Sequence, residues 1–115
     1  MNWGSFWIGV GLSAIAHIIT WFQLNGQFIN NWFKDNTFIL SLFGIPISYA
    51  YIYSTRYMVD GLNGLYWPSR FMGFSIGTII FGLFTYLILG ETINLKTAIS
   101  LLLAVVLAGI QVFWK

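Results

Sequence analysis

The sequence predicts an all-α integral membrane protein, a four-helix bundle of four transmembrane helices forming one domain over residues 1–115. Two observations carry this. Of 115 residues, 58% are hydrophobic and only 7% charged, whereas a soluble domain wets its surface with about 25% charged residues; the mean hydropathy is +0.80. The apolar residues also fall into four continuous runs. Each is near the ~20 residues that cross a hydrocarbon core, and none alternates as the strands of a membrane barrel would.

The first run spans 2–24 and carries no charged residue. It lacks the basic n-region and small-residue cleavage site of a signal peptide, so it is expected to remain as a span. Gly9, Ser13, His17 and Thr20 recur at i, i+4, i+8 and i+11, making one small, polar stripe that should face protein. His17 is the only histidine. After the Asn-rich connection "NGQFINNWFKDN", the second run covers 37–57, with Tyr49, Tyr53, Arg56 and Tyr57 on one stripe. An aromatic face of that kind binds organic solutes or packs against other helices. Arg56 and Asp60 form an i, i+4 pair at the membrane edge.

The third run covers 62–89 and follows "VDGLNG", where Asp60 or Asn63 is placed to cap the next helix. It puts Tyr66, Arg70, Gly73 and Gly77 at i, i+4, i+7 and i+11. Arg70 would lie about 12 Å along a helix that starts at Leu62, and an arginine near mid-membrane costs several kcal/mol unless it is relieved, which makes it a site candidate. The "GFSIG" segment permits close helix approach or bending. Pro68 fits a first turn or a kink. Gly90 in "LGETINLK" marks a helix stop, and the fourth run spans 95–113. Trp3, Trp7, Trp21, Trp32, Trp67 and Trp114 lie mostly near span ends, as interfacial anchors do.

Charge and composition exclude several classes. Net charge is +2 with basic residues scattered singly, so nucleic acid is not an expected partner. There is no cysteine, no nucleophile-base-carboxylate pattern, no metal-ligand spacing and no phosphate-binding loop. The chain is therefore expected not to be an enzyme and to need no cofactor or metal, and any transport would be driven by gradients or be passive. With Arg70 left out as too deep, an even span count sets Arg56 and Lys115 against Lys34 and Lys96, leaving the positive-inside rule no bias. Two opposite insertions would pair as an antiparallel homodimer.

The segment "FGLFTYLILGETINLKTAISLLLAVVLAGIQVFWK", residues 81–115, resembles the last third of repeats in the drug/metabolite transporter superfamily: an apolar helix, a Gly-Glu turn, a short polar stretch, then a closing helix with an Ala108-Gly109 pair. In plan the whole chain is similar to the small multidrug resistance transporters. The resemblance implies a homodimer in a cell's inner membrane, with the site among spans one to three and span four at the dimer contact. It also implies an embedded glutamate in span one. Here that span has no carboxylate, and the small-residue pattern of "IGVGLSAIAHIIT" lays His17 on the glutamate position. Imidazole is neutral or cationic, never anionic.

The sequence thus points to a small transporter-like protein with a neutral-to-positive cavity for a small anionic or zwitterionic solute. His17 and Arg70 would coordinate it, Tyr53, Ser13, Tyr49 and Tyr66 would line the site, and Gly73 and Gly77 would let span three pack or bend. A cationic drug/proton antiporter is the alternative that the resemblance favours. A non-transporting subunit of a larger membrane complex, its lone histidine holding a pigment, is another.

Overall fold

The computed structural model describes residues 2–114. Among them there is no strand, and six α-helices follow one another: α1 (Trp3–Asn25), α2 (Asn31–Asp35), α3 (Thr37–Leu42), α4 (Gly44–Gly61), α5 (Tyr66–Phe84) and α6 (Leu95–Phe113). A π-turn, Thr85–Leu89, extends α5. Four stretches are long and apolar enough to cross a membrane: Trp3–Phe28, Thr37–Gly61, Tyr66–Leu89 and Leu95–Phe113. The chain is a multi-pass helical membrane protein. Asn2 caps α1 by accepting from the Ser5 amide, and Asn94 caps α6 by accepting from the Thr97 amide.

The tightest packing joins α1 to α4. Lipid is as apolar as the side chains it surrounds, so helices associate through close contact and hydrogen bonds instead of water exclusion. Gly9 and Gly61 supply that contact. A Cβ on Gly9 would lie 2.8 Å from the Met58 amide nitrogen, and one on Gly61 would lie 2.5 Å from that of Phe6. Ser54 Oγ donates to the Gly9 carbonyl at 2.7 Å. The Asn2 amide donates to the Gly61 carbonyl at 3.1 Å. Beside this crossing, Phe6, Met58, Leu62, Ile76 and Val112 form a buried cluster drawn from α1, α4, α5, α6 and the loop after α4.

α5 packs on α1 through one face and on α6 through another. Ser75 Oγ donates to the Ala104 carbonyl, so a buried hydroxyl stitches α5 to α6. At the other end, Trp21 Nε1 donates to Thr85 Oγ1 at 3.1 Å, and the rings of Trp21, Phe22 and Phe84 meet edge to face.

Two segments depart from the expected spans. The second span extends to Gly61, and the third helix starts at Tyr66 instead of Leu62. Asn63 and Gly64 take positive φ in succession, 60° and 79°, and the Gly64 amide bonds back to the Val59 carbonyl, so residues 62–65 are spent on reversal. Neither Asp60 nor Asn63 caps α5: its N-cap is Leu65, without a side-chain bond. The second span is also broken at Phe43. Pro46 has no N–H for the Leu42 carbonyl, and its ring crowds that turn. The Leu40 carbonyl receives the Phe43 amide and Gln23 Nε2 from α1, the latter at 2.9 Å, so the break is braced across the bundle.

Candidate functional site

α4 and α5 both lie against α1 but scarcely touch each other. The space between them is a cleft of about 790 Å³, floored by α1. Ser13, His17, Tyr66, Arg70, Gly73 and Gly77 all line it. The small stripe of α1 faces inward because Gly9 and Ser54 seat α4 beside it, leaving Ser13 buried and His17 at the cleft floor.

His17 is held in one orientation. Nδ1 lies 2.8 Å from the Ser13 carbonyl oxygen and 3.3 Å from Ser13 Oγ. A carbonyl only accepts, so the proton is assigned to Nδ1, and in the neutral ring Nε2 keeps its lone pair. Nε2 abuts Gly77: a Cβ there would come within 2.5 Å of His17 Cδ2 and closer still to Nε2. Gly77 is thus the residue that admits the imidazole. The Tyr51 ring meets the imidazole edge-on at 5.1 Å, and its hydroxyl lies 3.3 Å from Thr20 Oγ1. A polar chain of Ser13, His17, Tyr51 and Thr20 therefore crosses from α1 to α4 at the deep end.

Arg70 lies at the other end. Because α5 begins at Tyr66, Arg70 sits four residues in, about 6 Å along the helix, where a start at Leu62 would have placed it near 12 Å. The later start moves the guanidinium from mid-membrane toward the interface, where a long basic side chain is tolerated. His17 lies about 21 Å along α1 from Trp3, and its neighbour Gly77 lies about 10 Å further along α5 than Arg70. The cleft has a cationic mouth and a polar floor. No Asp or Glu lines it.

Tyr49 and Tyr53 are not among the lining residues; they are 63% and 43% exposed, and Tyr53 carries the Arg56 guanidinium 4.8 Å above its ring. Their places are taken by Tyr51, Ser54 and Thr55. Two residues along a helix is about 200° around it, so the inward stripe is 51, 54, 55 and 58 and the tyrosines at 49 and 53 look outward. The signal in the sequence was Ser54, the small polar residue that lets α4 approach α1.

Among the described residues no three His, Asp or Glu side chains gather to hold a metal ion. No family model, curated protein or solved structure matches the chain. Fold and site together define a multi-pass helical membrane protein with a cleft that carries positive charge at its mouth and no carboxylate in its lining.

Proposed function

We propose that the chain is a small gradient-driven transporter that moves a small anionic or zwitterionic organic solute by alternating access, as a homodimer in a cell's inner membrane. The observation that carries the reading is the cleft lining, with one guanidinium, one imidazole and no carboxylate. An organic anion gains a charge-assisted hydrogen bond at Arg70, worth about 1.5–3 kcal/mol. Further in, the imidazole of His17 and the hydroxyls of Ser13 and Tyr51 line the deep end of the cleft. An organic cation meets the same guanidinium with no countercharge to offset its desolvation.

Movement between two open states has structural means. The α3–α4 break at Phe43 and the π-turn at Thr85–Leu89 interrupt the two helices that wall the cleft, and interruptions of this kind are where helices bend. α6 packs on α5 and exposes most of its remaining surface, so it is the face offered to a second copy.

The same exposed α6 face favours a second reading, in which the chain is a non-transporting subunit seated on a larger membrane complex. Pigment ligation does not fit that reading, because Gly77 sits against Nε2 where a macrocycle would have to lie. Cation/proton antiport, which the resemblance of residues 81–115 suggests, lacks the carboxylate it needs. The test is flux of anions, zwitterions and cations into proteoliposomes with wild type, His17→Ala and Arg70→Ala. Anion uptake is expected to fall at least tenfold in Arg70→Ala and more modestly in His17→Ala. Anion uptake unchanged in both variants overturns the proposal.

A further inference from the structure

Arg70 stands at the junction of two hollows. Besides the main cleft, a shallower one of about 430 Å³ is lined by Gly64, Leu65, Tyr66, Trp67 and Arg70, so the guanidinium and Tyr66 belong to both. Trp67 and Tyr66 are 73% and 78% exposed at the start of a membrane-crossing helix. Amphipathic rings in that position sit in the headgroup layer, which places Arg70 at headgroup depth.

From Arg70 the cleft continues along α5 as far as Phe81. Eleven residues of helix is about 16 Å, the depth of one leaflet of a ~30 Å hydrocarbon core. Phe74 and Phe81 give this stretch an apolar edge along α5, beside the polar floor of Ser13 and His17. Phe74 and Phe81 are each about half exposed, because the gap between α4 and α5 leaves one long side of the cleft uncovered. α5 meets α6 on the face of Ser75 and Gly82, and the cleft lies on the face of Arg70, Phe74, Gly77 and Phe81. These faces are separated by more than a quarter-turn of the helix, so a contact made through α6 leaves the gap open to acyl chains.

Resting on the anion reading above and narrowing its substrate class, we infer that the cleft takes a single-chain anionic amphiphile from the leaflet on the side of Arg70. Its head pairs with Arg70, and its alkyl chain enters sideways between α4 and α5 to lie along Phe74 and Phe81. Charge complementarity selects the head, since the lining offers a guanidinium and no carboxylate. Depth selects the chain. Arg70 and Gly77, the neighbour of His17, stand about 10 Å apart along α5, and an amphiphile spans that length by keeping its charge at Arg70 and filling the rest with carbon.

The experiment uses the full chain in phosphatidylcholine nanodiscs with a hexadecanoate analogue bearing a mid-chain diazirine, crosslinked by light and mapped by mass spectrometry. Labelling is expected at Phe74 or Phe81, displaced by unlabelled hexadecanoate but not by propionate or hexadecyltrimethylammonium. Arg70→Gln should lower it at least tenfold, and Phe81→Trp, which shortens the apolar end and leaves the charge in place, several-fold; Tyr49→Ala, on the outer face, should leave it unchanged. Displacement by propionate as effective as that by hexadecanoate overturns the amphiphile and leaves an anion site standing. Displacement by the alkylammonium, or labelling indifferent to Arg70→Gln, overturns the anion site as well.

Discussion

The α1–α4 seam and the α4–α5 gap share one helix and differ in what α4 presents to each neighbour. Toward α1 it shows Ser54 and Gly61, which meet Gly9 and Phe6 so closely that backbones touch. Toward α5 it shows Tyr51, Thr55 and Val59, opposite Arg70, Phe74 and Phe81, and the two walls stand apart around about 790 Å³. In a bilayer the absence of a hydrophobic drive between helices makes this difference decisive: small residues and hydroxyls determine which pairs close, and bulky or charged walls stay open for another occupant.

The comparison breaks first at the seam. Gly61→Leu must place carbon within 2.5 Å of the Phe6 backbone, and it is expected to destabilise the protein by about 3 kcal/mol or to prevent folding. Gly11→Leu, at an exposed position with nothing within 4 Å of a Cβ, should stay within about 0.5 kcal/mol. Unfolding equilibria in bicelles or mixed micelles measure both, and equal effects would show that close approach does not hold α1 to α4. Next, on the gap side, Gly77→Ala pushes the His17 ring from its seat. About tenfold weaker solute binding with retained stability, near 1.4 kcal/mol, is the expected result of a titration in detergent.

A smaller effect sharpens the hydrogen-bond part of the argument. Ser54→Ala removes the bond to the Gly9 carbonyl, and bonds of this kind in membrane helices contribute about 0.6 kcal/mol on average, up to about 1.7. A cost near zero in the same unfolding assay would leave packing alone responsible for the seam. The smallest effect distinguishes the two faces of α4. Tyr51→Phe should weaken binding modestly because its hydroxyl pairs with Thr20 beside the cleft, while Tyr53→Phe should change nothing measurable in the titration. The reverse order would mean that the outer stripe is the working one.

Much of this was legible along the chain. Four long apolar runs, each with at most one charged residue, required four spans, because a backbone in lipid must satisfy its own hydrogen bonds within each helix. Gly90 stops the third helix with a φ of 74°, and the stripe through Gly9, Ser13 and His17 faces inward because small, polar side chains are poor partners for acyl chains. The inward face of α4 was not legible. Tyrosines at 49, 51, 53 and 57 supply an aromatic stripe on several sides of one helix, and period alone does not choose among them.

What the sequence by itself determined was the solvent, the number of crossings and the shortage of acidic groups within them, since these depend on composition and on periods that each segment carries alone. The tertiary structure decided which tyrosine meets His17, how deep Arg70 lies, and that α4 and α5 stand apart. Those facts depend on where Asn63 and Gly64 reverse the chain and on how closely Gly9, Ser54 and Gly61 let two backbones meet. They are distances between segments, and no single segment encodes them.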